Sequence, residues 1–213
     1  METNNNNTVN VMPRIGDKAP SFTAKTTQGE INFPSDYKGM WKILFSHPAD
    51  FTPVCTSEFM TFGSMAEEFE KLNTQLVGLS VDGLYSHIAW LRTIKEKIDW
   101  KGMKDMEIKF PLIEDITMNV AKLYGMIQPG ESTTSAVRAV FFIDPFDKIR
   151  TVFFKGIISS FRIVGGNSLV AANTLQRFQS SLLCNAVHIK QPLNAFPGTI
   201  QQSQENMLYR YEF

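Results

Sequence analysis

The sequence predicts an α/β fold: a mixed central β-sheet flanked by helices, with an N-terminal β-hairpin before it and a C-terminal arm after it. Three observations lead there. Short apolar runs of strand length, at 41–46 and 75–82, alternate with segments of helical period that begin near Pro53 and Leu84. Two further apolar runs, 137–144 and 148–154, are separated only by Pro145-Phe146-Asp147, which reads as a hairpin. Between 15 and 154 no stretch resembles a linker, so these elements belong to one unit.

Taken in order, residues 21–26 alternate as a strand, Gln28-Gly29-Glu30 is a turn, and 31–33 return from it. Residues 34–40 form a surface connection to 41–46, read as the central strand. Pro53 suits the first turn of a helix, where a missing N–H is no loss. Phe59, Phe62, Ala66 and Phe69 then recur at i, i+3, i+7 and i+10, the buried face of one helix, with Glu67, Glu68 and Glu70 mostly off it. Gly63 inside that helix costs about 1 kcal/mol against Ala, so it marks a kink or a close packing contact. After the strand at 75–82, Leu84, Ile88, Leu91 and Ile98 line a second helix. Residues 99–108 are a polar loop, 110–115 a short extended segment, and 120–124 a short helix ending at Gly125. A Gly/Ser/Thr loop at 128–135 precedes the last two strands, and 169–183 reads as the final helix. A hairpin followed by β-α-β-α-β-β-α is the order of a thioredoxin-like sandwich.

The expected organisation is an Asn-rich, disordered lead at 1–12, a folded domain at 13–184, and an arm at 185–213 that contains Pro192, Pro197 and Gly198. The chain has 213 residues, 43% hydrophobic, with 21 basic and 21 acidic side chains, so nucleic-acid binding has no electrostatic footprint. No apolar run approaches the roughly 18–20 residues that a membrane span needs. The polar N-terminus lacks the basic and apolar regions of a secretory signal, and two cysteines make no disulfide framework. A reducing, cytoplasmic setting is expected. The three histidines, even with the cysteines, show no metal spacing, so neither a metal nor another cofactor is expected, and a lone His87 on a helix reads as structural.

The candidate chemistry centres on Cys55. It stands where the strand 41–46 ends and a helix begins, a place where α/β folds put reacting groups. A cysteine that attacks must do so as the thiolate. Two features of this chain favour that form: the positive end of the helix, and a cation brought from elsewhere, for which Arg138 at the head of an apolar strand is the candidate. A disulfide exchanger of this fold needs Cys-x-x-Cys, and here the run is Thr52-Pro53-Val54-Cys55. A hydroxyl replaces the second thiol, and it can bond a small oxygen-bearing substrate. Pro48 is placed to shield the sulfur from water.

The pattern Pro48-x-x-x-Thr52-x-x-Cys55 resembles the signature of peroxiredoxins, and the longer run 45–59, with His47 before Pro48, closely resembles their 1-Cys subfamily. The likeness extends through 15–20, 77–82, Ser86-His87 with Trp90, 110–113 and 137–145, most of the chain. It implies a peroxidase that reduces hydrogen peroxide and alkyl hydroperoxides, with Cys55 attacking the peroxide and becoming a sulfenic acid. It also implies that Thr52 and Arg138 hold the peroxide oxygens, that Glu58 helps hold the arginine, and that His47 supports the pocket. A homodimer or higher homo-oligomer is implied as well.

Beyond Phe154 the likeness thins. Arg162 stands about one residue out of register with the family's second arginine, and the position expected for a resolving cysteine, near 191–192, holds none. Cys184 is read either as helix packing, which leaves the sulfenic acid to an external thiol, or as a redox partner of Cys55. Two other functions stay open at this stage: a disulfide oxidoreductase using Cys55 and Cys184, and a non-catalytic, holdase-like oligomer.

Overall fold

The computed structural model describes residues 12–128, 130 and 134–155. The lead at 1–12 lies outside them apart from Met12, as do Arg162, Cys184, the helix expected at 169–183 and the arm.

The hairpin forms as the sequence predicts. β1 (Phe22–Thr26) and β2 (Gly29–Phe33) pair antiparallel, with Phe22 opposite Phe33, and Gly29 takes a positive φ of 106° at the turn. β3 (Trp41–Ser46) and β4 (Thr74–Ser80) run parallel, as strands joined by a helical crossover must. β6 (Arg138–Ile143) lies antiparallel against β3 and against β7 (Ile149–Lys155). The extended segment near 110–115 contributes a strand of its own, β5 (Leu112–Glu114), parallel to β4 and bridged to β1. This makes one seven-stranded sheet, β2-β1-β5-β4-β3-β6-β7, a mixed thioredoxin-like α/β arrangement. The middle strand is β4, not 41–46 as expected; β5 and the hairpin extend the sheet on the far side of β4 and shift its centre by one strand.

Alternation along the strands feeds two cores. Ile43, Phe45, Leu76, Val140 and Phe142 face one side, where they pack with Phe59, Phe62, Phe69, Trp90 and Ile94. Leu44, Val77, Leu79, Phe141 and Ile143 face the other, against Val120, Ala121 and Tyr124. A strand buried on both faces loses the alternation of a half-exposed one, which is why 41–46 and 75–82 read as unbroken apolar runs.

Two helix expectations need correction. The single helix expected from Pro53 is two: α1 (Pro53–Ser64) and α2 (Ala66–Lys71), separated at Met65. The weak helix formers Gly63 and Ser64 stand at the break. A Cβ at Gly63 would lie 2.8 Å from the Ile108 side chain, so this glycine also admits the 99–108 loop. The Phe59–Phe62–Phe69 stripe survives because both helices lie on the same core. The second expected helix, α3 (Leu84–Lys97), turns a different face inward: His87, Trp90 and Ile94 are buried, Ile88 is 38% exposed, and Leu84 and Leu91 are only partly covered. An apolar-only pattern passes over a histidine, yet a fully hydrogen-bonded imidazole can occupy a core position.

The expected short helix is α4 (Asn119–Leu123); Tyr124 caps it and Gly125 follows with φ 66°. At the end of β3 remote from Cys55, Lys42 is fully buried. Its Nζ donates to Asp147 Oδ1 at 2.5 Å and to the Asp144 carbonyl at 3.1 Å. Asp144 in turn accepts from the backbone N–H groups of Phe146 and Lys148 and from Arg150.

Candidate active site

β3 ends at Ser46, and the chain turns through His47-Pro48-Ala49-Asp50 before Phe51, which takes a left-handed φ of 57°. Thr52 is extended (φ −89°, ψ 144°) and occupies the N-cap position of α1, with Pro53 as the first helical residue. Its hydroxyl does not cap the helix. It donates to the Ala49 carbonyl at 3.2 Å and closes the turn that leads into the helix. The Thr52 carbonyl accepts from Thr56 twice, from N–H at 2.9 Å and from Oγ1 at 2.8 Å. Cys55 is therefore the third residue of α1, inside the turn whose N–H groups have no intrahelical partner.

Cys55 is free and fully buried. Arg138, 83 residues later, reaches it across the sheet: Nη2 donates to Sγ at 3.2 Å. The other arm of the guanidinium, Nη1, pairs with Glu58 Oε2. Glu58 sits one residue short of a helical turn beyond Cys55, so one face of α1 presents both acceptors to one planar fork. Ser46 fixes the backbone that carries the arginine. Its Oγ donates to the Val137 carbonyl at 2.5 Å and accepts from the Ala139 N–H at 3.0 Å, holding the residues on both sides of Arg138.

Of the expected residues, Cys55, Arg138 and Glu58 thus meet directly. Pro48 is half-buried in the loop before α1. Among the described residues, no hydrogen bond joins the side chain of Thr52 or His47 to the sulfur. His47 is instead tied into a second cluster. Its Nε2 lies 2.9 Å from Asp50 Oδ1. Asp50 Oδ2 lies 2.8 Å from His87 Nδ1 and accepts from Ser86 Oγ at 2.9 Å, and His87 Nε2 lies 3.0 Å from the Ile113 carbonyl. The Asp50 N–H and the Ser80 hydroxyl both donate to Asp82 Oδ2, at 3.0 and 2.8 Å. Burial opposes ionisation of Asp50, but hydrogen bonds from His47 and His87 outweigh it and hold the carboxyl at about 2. Burial pushes His47 below the ordinary histidine value, against the pull of Asp50.

His47, Asp50 and Asp82 offer ligand atoms within 4.8 Å of one another, a grouping that histidine and cysteine spacing alone did not reveal. Hydrogen bonds within the protein already occupy both Asp50 oxygens and Asp82 Oδ2. Asp50, Ser86 and Asp82 were not among the expected site residues, and His87 was expected only as a structural histidine. The available signal was polar: Asp50 three residues after His47, and Ser86-His87 placed one turn before Trp90 on an otherwise apolar face.

The described site has the features to hold a sulfur anion: a buried thiol, a charged donor on it, and a helix N-terminus beneath it. The AhpC/TSA family model matches residues 15–152. A peroxiredoxin of Methanosarcina mazei is 71% identical over 143 residues, 67% of this chain and 65% of that one, so the match spans just under two thirds of that relative. A peroxiredoxin of Ignicoccus hospitalis is 39% identical over 208 residues, 94% of this chain and 85% of the relative. Among solved structures, a yeast mitochondrial 1-Cys peroxiredoxin, described in terms of thiol resolution through glutathione/thioredoxin systems, is similar with TM-score 0.61 and 38% identity, over 87% of this chain and 84% of that one. The matched region includes every element that sets Cys55 against Arg138, and the chain belongs to the AhpC/TSA family, the peroxiredoxins.

Proposed function

We propose that this chain is a thiol-dependent peroxidase that reduces hydrogen peroxide and alkyl hydroperoxides through Cys55. The observation that carries the reading is the 3.2 Å hydrogen bond from Arg138 to the Cys55 sulfur, with Glu58 holding the other arm of the guanidinium. Cys55 as thiolate attacks the terminal oxygen of R–O–O–H. The S–O bond forms as the O–O bond breaks, and Cys55–S–OH and RO⁻ result; RO⁻ then takes up a proton and leaves as alcohol or water. Charge builds on the departing oxygen, and the cation on the sulfur is placed to stabilise it as it develops. Thr52 keeps hydroxyl lone pairs free while donating to Ala49, so it can accept from the incoming O–H, and Pro48 limits water at the sulfur.

The reaction is of the 1-Cys kind, with the sulfenic acid reduced by an external thiol. Support comes from the lack of a cysteine near 191–192, where a resolving thiol is expected, and from the likeness to the yeast 1-Cys protein, which suggests a glutathione- or thioredoxin-type donor. The working form is a homodimer or larger homo-oligomer in a reducing, cytoplasmic compartment. The test is turnover of hydroperoxide with added thiol reductants by the wild-type chain, Cys55→Ser and Cys184→Ser. Loss of turnover in the first variant and retention in the second is expected. Activity in Cys55→Ser overturns the peroxidase reading. Loss in Cys184→Ser, with a Cys55–Cys184 disulfide in the wild type, overturns the external thiol.

A further inference from the structure

The segment 99–108, expected as a polar loop, begins with a two-residue hairpin. Trp100 N–H donates to the Met103 carbonyl at 3.2 Å, and Met103 N–H donates to the Trp100 carbonyl at 2.9 Å. Between them Lys101 and Gly102 take positive φ of 50° and 78°, as the mirror-image turn of a tight hairpin requires. Trp100 and Met103 are therefore a directly opposed, hydrogen-bonded pair, whose side chains leave the same face with Cβ atoms about 4.5–5.5 Å apart. That face is the inner one. Both side chains are half-buried against the core cluster that contains Phe62, Phe69 and Ile108, while Lys101, Gly102 and Lys104 are exposed.

One polar atom on that face has no partner. Trp100 Nε1 is buried, and among the described residues nothing accepts its hydrogen. The polar groups nearest in sequence are committed elsewhere. The Trp100 and Met103 carbonyls close the turn. The Lys101 ammonium, 4.6 Å from the ring centroid, can only donate, and the Asp99 carboxylate is paired with Lys104 at 3.0 Å. Across the hairpin the indole meets the Met103 side chain, whose thioether is a weak acceptor. Oxidation changes that sulfur, because a sulfoxide carries a polar oxygen. In an apolar site such an oxygen is left without a donor and disrupts the packing. Here a buried N–H already stands without an acceptor, a rare condition that the new oxygen would relieve.

We propose that Met103 is a methionine-oxidation site in which Trp100 Nε1 donates to the sulfoxide oxygen, so that oxidation tightens the hairpin on the core where it would ordinarily loosen it. Hydrogen peroxide supplies the oxygen. The sulfur attacks one peroxide oxygen as the O–O bond breaks. Sulfur loses two electrons, the departing oxygen takes the proton of the transferred one, and water leaves. Thiol-dependent methionine sulfoxide reductases reverse the change, returning the oxygen as water while two thiols become a disulfide. Met103 is half-buried and within reach of solvent, unlike Met60 and Met126, which are fully buried. The step uses no part of Cys55 and goes beyond the peroxidase reading without depending on it.

The test treats the reduced full-length chain, Met103→Leu and Trp100→Phe with excess hydrogen peroxide, and follows peptide mass, the indole ¹H–¹⁵N signals and the melting temperature. The chain has three tryptophans, and Trp100→Phe assigns the signal of one. In wild type, one oxygen on Met103 and a shift of the Trp100 indole signal are expected, with no such shift in Met103→Leu. Met103→Leu shares every other oxidation, Cys55 included. Relative to the change peroxide causes in that variant, the wild-type melting temperature is expected to move up by about 2–4 °C. In Trp100→Phe the sulfoxide has no donor, and its melting temperature is expected to fall on oxidation relative to wild type. The proposal is overturned if Met103 gains no oxygen, or if the Trp100 signal stays in place in a sample that carries the sulfoxide. Oxidation that destabilises wild type as much as Trp100→Phe overturns it too. If Trp100→Phe does not fold, the wild-type indole signals set against those of Met103→Leu still decide. Met103 is read on its own peptide, so none of these outcomes bears on the assignment of Cys55.

Discussion

Arg138 is asked to do two things at once, and only a planar fork can do both. One arm meets the Cys55 sulfur and the other meets Glu58. Lysine would keep the charge but has a single ammonium centre, so it cannot span both acceptors. Arg138→Lys is therefore expected to slow Cys55 oxidation by about a hundredfold while the chain remains folded, measured by stopped-flow fluorescence beside a thermal melt. Arg138→Ala is the less clean change, because it leaves the carboxylate of a buried Glu58 without its cation and costs stability as well as rate. Ser46 acts one step further out. With its hydroxyl gone, the Val137 carbonyl and the Ala139 N–H lose their shared partner. Ser46→Ala is expected to lower the melting temperature by a few degrees, for about 1 kcal/mol, and to slow oxidation through a looser Arg138. A rate equal to wild type would show that the strand alone holds the arginine.

At the scale of elements, the strand–loop–helix from β3 to α1 was legible because its cues are local. An apolar run, a proline at the first helical position and the spacing of Thr52 and Cys55 all lie within 15 residues. The partnership of Arg138 with Cys55 could be suspected from an arginine at the head of an apolar strand, but its geometry depends on β6 lying antiparallel against β3, which no local pattern encodes. The inward face of α3 was misread for a related reason. His87 is buried because Asp50 and Ile113, from two other elements, satisfy both of its nitrogens. The break at Met65 was legible only as a weak spot at Gly63. Close packing between elements also sets the role of Gly78 in β4, where a Cβ would lie 3.0 Å from Leu112 Cδ1, 3.3 Å from Phe45 Cζ and 3.5 Å from Phe59 Cζ. Gly78→Ala is expected to destabilise by about 1–2 kcal/mol, because strand and rings cannot separate without opening the core. An unchanged denaturation midpoint would mean that the rings yield.

At the scale of the whole molecule, two buried charged sites tie distant parts of the sheet together, and each makes stability depend on conditions. Lys42 and Asp147 join the start of β3 to the turn between β6 and β7. Asp147→Asn keeps a residue that tolerates the local φ of 63° but removes the counter-charge from a fully buried ammonium. A loss of about 3 kcal/mol is expected in urea denaturation. Asp50 gives the pH dependence. Its carboxyl titrates at about 2 in the folded chain, against an ordinary value near 3.8, so between those values the unfolded chain binds more protons. The resulting stability, of order 1–2 kcal/mol, is present above about pH 4 and is lost as pH falls toward 2. The stability of Asp50→Asn should therefore fall less steeply across that window than wild type, and parallel curves would contradict the assignment.

The central claim is that Cys55, held by Arg138, is the atom that takes oxygen from a hydroperoxide. One measurement tests it most directly: rapid mixing of the reduced full-length chain with one equivalent of hydrogen peroxide, followed by a sulfenic-acid trap and peptide mass spectrometry. One oxygen on Cys55 is expected, formed in wild type far faster than in Arg138→Lys. Oxygen found elsewhere, or equal rates in the two proteins, would contradict it.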